Sequence, residues 1–197
     1  MPARRATPSP SVHQIKVTLL GTRPPVWRRL LVPSGMTLAD LHTVLQVAMG
    51  WYDCHLYEFS VDGQAYGDPA NDAGWGSTIA DDNGVTLAQV AAPGSRLMYQ
   101  YDFGDDWEHR ILVEKLIPGG AGAPLPTCVA GRRACPPEDC GGVWGYEELL
   151  AVLADPGHPE HDEMADWSGP IDPEAFDRAD VNARLAAMSA GRRRPTA

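Results

Sequence analysis

The chain has 197 residues, 44% hydrophobic and 21% charged, a composition that supports one sizeable core rather than a disordered or fibrous chain. Sixteen Lys and Arg against 26 Asp and Glu leave a net charge of −10, which argues against nonspecific binding to nucleic-acid phosphates as the main role. No apolar run approaches the ~18 residues of a membrane span, and the opening MPARRATPSP lacks the apolar segment of a signal peptide, so the expectation is a cytoplasmic protein whose four cysteines are thiols or metal ligands.

Residues 1–11 read as a disordered tail. Residues 12–20 then alternate Ile15, Val17 and Leu19 with polar positions, as a half-buried strand requires. A turn at GTRPP leads into a second strand over residues 26–32, so the chain opens with a hairpin. Arg23, Arg28 and Arg29 flank Trp27 there, either as solvated strand arginines or as a contact surface for an acidic partner. Thr37 caps a helix over residues 37–49, with Asp40 three positions on as a short capping box. Leu38, Leu41, Leu45, Ala48 and Met49 fall on one face of it, and Gly50 ends it. Residues 55–61 form a third strand with His55, Tyr57, Phe59 and Val61 on one side, turned by Asp62-Gly63. Residues 67–84 make a long acidic loop that contains Trp75, and loops of that length inside a domain are often functional. Residues 85–92 read as a short helical segment. From Gly67 to His109 eight carboxylates accompany one base, Arg96. Such a run is ordinarily a solvated face, and the sharper alternative is a site for a cation or a basic partner.

Residues 97–116, LMYQYDFGDDWEHRILVEKL, carry the clearest hairpin pattern. If residues 104–106 are a three-residue loop, Phe103 opposes Trp107, Tyr101 opposes His109, Tyr99 opposes Ile111 and Leu97 opposes Val113. The left-handed position of that loop then falls on Asp106. The other face sets Asp102 against Glu108, a like-charged pair that needs water, an arginine or a metal ion to compensate it. Asp105 and Asp106 sit at the tip, and His109 is placed as a hydrogen-bonded core histidine.

Residues 118–127 have the composition of a linker. Beyond it come a Cys-rich loop over residues 128–142, a helix over 146–154, a polar stretch over 158–166 and one or two helices within 173–188. The predicted plan is a tail (1–11), a core (12–117), a linker (118–127), a Cys-rich loop and helical extension packed on the core (128–188) and a disordered basic tail (189–197). The fold class is α+β: a β-grasp or roll-like mixed sheet of about five strands with one main packed helix, plus the C-terminal loop-and-helix extension.

Cys128, Cys135 and Cys140 are spaced C-x6-C-x4-C, without the C-x2-C knuckle of common zinc sites. They read as reduced structural thiols, as part of a zinc site completed by histidine, or as a nucleophile. Cys140 precedes a helix, where a thiol pKa is lowered. His158 and His161 form H-x2-H. The metal-ligand set drawn from these patterns is Cys128, Cys140, His109, His158 and His161, for zinc or another metal ion. No phosphate loop, G-x-S-x-G elbow, H-E-x-x-H or dinucleotide fingerprint is present. The DFG at residues 102–104 lacks the other kinase signatures. No residue is assigned a catalytic role.

Three blocks carry a family resemblance. They are residues 15–51, with PPVWRR at 24–29 and a helix ending Met49-Gly50-Trp51; residues 101–109, YDFGDDWEH; and residues 134–142, ACPPEDCGG, followed by Gly145-Tyr146. Together they resemble the plasmid pRiA4b ORF-3-like family, also described as transposon passenger proteins of a TnpR type. The resemblance implies an α+β domain with a β-grasp or roll-like core and imports no mechanism. The chain has no serine-recombinase core, and its charge is wrong for a resolvase, so the TnpR label reflects genomic company. Relatives often read H-L-H where this chain has His55-Leu56-Tyr57. The resulting expectation is a non-catalytic binding or accessory module of mobile genetic elements, with a protein partner and no membrane contact. Its face is built from Tyr101, Asp102, Asp105, Asp106, Trp107 and His109, together with Glu138 and Asp139 of the Cys-rich loop. The alternatives are a metal-dependent hydrolase or nuclease, and a domain with a purely structural zinc site.

Overall fold

Alternating apolar residues build the opening hairpin as expected: β1 (Ser11–Leu19) pairs antiparallel with β2 (Trp27–Pro33). The computed structural model describes residues 11–71, 79–119 and 124–192. Helix α1 (Leu38–Met49) follows, and Thr37 caps it by accepting the Asp40 amide. Gly50 terminates it at φ 94°, in the left-handed region that glycine enters without penalty. Then come β3 (Tyr57–Val61), β4 (Gln64–Gly67), β5 (Ala80–Asp81) and the short α2 (Leu87–Val90). The central hairpin is β6 (Arg96–Tyr101) with β7 (Trp107–Pro118). The remaining elements are β8 (Thr127–Arg132), α3 (Gly142–Ala154), α4 (His161–Ser168) and α5 (Arg178–Arg192).

The class is α+β, with one sheet of eight strands rather than about five, in the order β5-β4-β3-β6-β7-β1-β2-β8. The three additional strands, β4, β5 and β8, are short and lie toward the sheet's two edges. Thr127–Arg132 pairs with β2, so the sheet takes in Thr127, at the end of the expected linker, and Cys128 of the Cys-rich segment. Residues 189–192 belong to α5 rather than to a tail. The tails expected at residues 1–10 and 193–197, the linker residues 120–123 and Trp75 lie outside the described residues.

The central hairpin keeps its predicted faces but not its predicted partners. Tyr101 opposes Trp107, Tyr99 opposes His109 and Leu97 opposes Ile111. The slip is two residues, so the inward set is preserved. It arises because the turn is longer than three residues. Asp102 leaves the strand at φ 57° and Asp106 re-enters at φ 56°. The Asp102 carboxylate accepts the Gly104 amide at 2.9 Å, and the Asp106 amide donates to the Asp102 carbonyl at 2.7 Å. Glu108 therefore faces Gln100, and the Asp102–Glu108 opposition does not form. Phe103 is carried out to the surface.

Leu38, Leu41, Val44, Leu45 and Ala48 of α1 are buried in the same core as Phe59, Tyr99, Tyr101, Trp107 and Ile111 of the sheet. Each fully enclosed aromatic side chain contributes about 2–3 kcal/mol relative to exposure. Of the three arginines flanking Trp27, Arg28 is neither solvated nor a contact residue. It is buried, and it donates to the carbonyls of Ala48, Trp27 and Arg132, tying the end of α1 to β2 and β8. Val181 and Leu185 of α5 close the core beside β8 and α1.

His109 is enclosed completely, and its Nδ1–H donates to the Trp107 carbonyl at 3.0 Å. Burial pushes its pKa from 6.5 down to about 4. Between those values the unfolded chain takes up the proton and the folded chain does not, so stability falls as pH drops through this window. The expected outcome is a urea-unfolding free energy about 2 kcal/mol lower at pH 5 than at pH 7. An unfolding midpoint that does not move between the two pH values would contradict this placement.

Candidate functional site

Three segments meet at one end of the sheet: residues 51–56 after α1, the β6–β7 turn, and residues 136–141 after β8. The joint is made by Trp51, which follows the Gly50 cap. Its ring stacks on Tyr101 at 5.1 Å and lies edge-on to His109 at 5.2 Å. Its Nε1–H donates to the Pro136 carbonyl at 2.9 Å. The loop after β8 is thereby drawn over the end of α1, and Glu138 and Asp139 come with it.

The Tyr101 hydroxyl donates to Glu138 Oε1 at 2.6 Å and accepts the Cys54 amide at 3.1 Å. The Tyr52 amide donates to Glu138 Oε2 at 2.9 Å. Burial and the Glu138 carboxylate both push the Tyr101 pKa up, so the hydroxyl stays protonated as donor. Partial desolvation and the same carboxylate raise the Cys54 thiol as well. His55 lies edge-on to Tyr101 at 5.7 Å. Its Nε2 sits 3.1 Å from Asp139 Oδ1 and 3.6 Å from Asp102 Oδ2. Neither approach has hydrogen-bond geometry, and the nitrogen is fully enclosed without a hydrogen-bond partner. Asp53, Asp102 and Asp139 all hold left-handed backbone, at φ 59°, 57° and 60°.

Beside this cluster His42 is stacked on Tyr57 at 3.5 Å. Its Nδ1 is 2.8 Å from the Tyr99 hydroxyl and its Nε2 is 2.7 Å from Asp53. Burial lowers the His42 pKa, which its hydrogen bond with Asp53 opposes. The Tyr57 hydroxyl donates to the buried Asp82 at 2.7 Å.

A third feature is a cleft of about 590 Å³ between the β1–β2 turn, the β6–β7 turn and the start of α3. Asp105, Asp106, Glu108 and Glu147 line it with the exposed Trp144 and one cation, Arg23. Its walls meet through glycine. A Cβ at Gly142, which has φ 68°, would collide with the Asp105 carbonyl. One at Gly21, which has φ 82°, would meet the Val143 side chain at 2.9 Å. The Asp105 carboxylate completes the contact by accepting the Gly141 amide at 3.1 Å.

Of the predicted binding residues, Tyr101, Asp102, Glu138 and Asp139 are brought together around His55. Asp105 and Asp106 line the cleft instead, and Asp106 also accepts from Gln100 at 2.6 Å. Trp107 and His109 are enclosed in the core and reach neither surface. The five predicted metal ligands are not brought together. Cys128 is buried on edge strand β8, where the Asn182 side chain pairs with its backbone. His109 lies in the core, and the His161 ring donates to the Val152 carbonyl in the α3–α4 turn that also carries His158. Cys140 stands at the start of α3, but burial and the nearby Asp105 push its thiol up to about 12, opposite to the lowering expected there. Among the described residues, two sets of three donors lie within 4.8 Å of one another: Cys54–His55–Glu138 and His55–Asp102–Asp139. Cys54 was missed because its C-H pair falls outside the three clustered cysteines. His55 was counted as a strand residue, although the strand begins only at Tyr57.

Residues 11–180 match the family described as Plasmid pRiA4b ORF-3-like protein. The chain is 43% identical over 174 residues to the uncharacterised protein y4hQ of Sinorhizobium fredii, covering 87% of each. Its fold is similar to the crystal structure of MM3350, a protein of unknown function from Methanosarcina mazei Go1. The TM-score is 0.81 with 37% identity, over 87% of this chain and 97% of that one.

Tyr101→Phe removes the hydroxyl that bridges Cys54 and Glu138. The expected cost is about 1–2 kcal/mol in denaturant unfolding, with faster hydrogen exchange at the Cys54 amide. Unchanged exchange there would show that the hydroxyl does not hold this segment.

Proposed function

The chain belongs to the plasmid pRiA4b ORF-3-like family, and from that premise we propose that it is a non-catalytic binding module that captures a basic segment of a partner protein. The observation that carries this reading is the cleft at the start of α3. Four carboxylates, Asp105, Asp106, Glu108 and Glu147, surround Trp144, which is 83% exposed. An indole face next to carboxylates suits lysine and arginine side chains, through cation–π attraction and charge complementarity. The net charge of −10 steers such a partner toward the surface.

An accessory role at mobile genetic elements belongs to the same reading and is supported by the family's description, which names a plasmid reading frame. So does action in the cytoplasm, where the four thiols stay reduced. The structural fact beneath this is narrower: among the described residues, no helix is long and apolar enough to cross a membrane. In this reading a β-grasp-like core of central strands and α1 acts as the rigid support for the cleft.

A Lys/Arg-rich peptide is expected to bind the full chain, while a neutral peptide of equal length does not. Affinity should fall about tenfold as salt rises from low to several tenths molar, because exposed charges are screened. Trp144→Ala and Glu147→Gln should each weaken binding about three- to tenfold in calorimetric titrations. Equal binding of basic and neutral peptides, or full affinity in Trp144→Ala, would remove the basis for this function.

A further inference from the structure

We propose that His55, Asp102 and Asp139 hold one divalent first-row transition ion, with Cys54 and Glu138 at the edge of the site. This site is separate from the cleft at α3 and does not depend on the peptide-binding reading. The three ligands come from three different segments, and their donor atoms all lie within 4.8 Å of one another.

The separations fit donors around one ion, and His55 Nε2 makes no hydrogen bond across either of them. Donors bound at ~2.1 Å to one ion stand about 3.0–3.4 Å apart, depending on whether the geometry is octahedral or tetrahedral. His55 Nε2 stands 3.1 Å from Asp139 Oδ1 and 3.6 Å from Asp102 Oδ2. An enclosed imidazole nitrogen without a hydrogen-bond partner is rare and costly in a folded protein. An ion placed between these three atoms would satisfy it.

Charge agrees with the geometry. Two carboxylates balance the charge of a divalent ion. Among the described residues neither Asp102 nor Asp139 pairs with a lysine or arginine. Their neighbours also aim them. Asp102 Oδ1 accepts the Gly104 amide at 2.9 Å and the Asp105 amide at 3.4 Å, which leaves Oδ2 toward His55. Glu138 is held by Tyr101 and Tyr52, 3.6 Å from the Cys54 thiol. Such outer contacts orient ligands in metal sites generally.

The donor set selects the class of ion. An imidazole beside carboxylates and a thiol suits zinc, manganese or iron, whereas calcium and magnesium take oxygen ligands. Asp139 is 67% exposed, so solvent reaches the site and water can complete the coordination.

The test is calorimetric titration of zinc chloride into the untagged, chelator-stripped full chain, followed by circular dichroism. The expected result is one zinc per chain. His55→Ala and Asp139→Asn should each weaken it about ten- to hundredfold with the fold intact. Cys128→Ser and His158→Ala should leave it unchanged. Because Asp139 is largely exposed, Asp139→Asn keeps the test open even if His55→Ala fails to fold. Absence of zinc binding by the wild-type chain, or unchanged binding in Asp139→Asn, would overturn the proposal.

Discussion

Trp51 is the contact on which the rest of the structure depends. It follows a glycine cap, so α1 stops and the chain turns back over the sheet at one defined point. Its ring packs against Tyr101, Trp107 and His109, and its N–H reaches the loop after β8. One side chain thereby fixes the angle of α1, closes the aromatic end of the core and pulls the Glu138–Asp139 loop into place. Arg28 does the complementary work at the same end of α1, holding the Ala48 carbonyl to β2 and β8.

The acidity of the chain is divided between two environments. Around His55 a buried Asp102 and a largely exposed Asp139 stand beside an imidazole, a thiol and a phenol. Around Trp144 the carboxylates turn outward and remain available to solvent. The first arrangement suits a small ion that can be wrapped. The second suits a partner large enough to bridge several charges at once. The β6–β7 turn supplies both, with Asp102 on one side and Asp105 and Asp106 on the other.

Much of the fold was legible where the pattern repeats. Leu97, Tyr99 and Tyr101 with Trp107, His109 and Ile111 announced a hairpin and its buried face, because alternation survives any even slip in register. The partners were not legible. They depend on Asp102 entering left-handed backbone and lengthening the turn, which no period in the sequence encodes. The edge strands QAYG, AD and TCVAGR are too short, or too polar, to show alternation. The site was half legible: Tyr101, Asp102, Glu138 and Asp139 came from the two later sequence blocks. His55 and Cys54 were hidden because they sit in an irregular segment whose position is set by Trp51, a tertiary contact. The cysteine and histidine spacings misled because Cys128 and His109 had already been committed to the core.

The glycines at the mouth of the cleft have a further consequence. Gly142 lies against the Asp105 carbonyl and Gly21 against the Val143 side chain, so the walls of the cleft meet where neither glycine leaves room for a Cβ. A join of that kind holds the start of α3 close to the β1–β2 and β6–β7 turns, whatever the exposed side chains around it do.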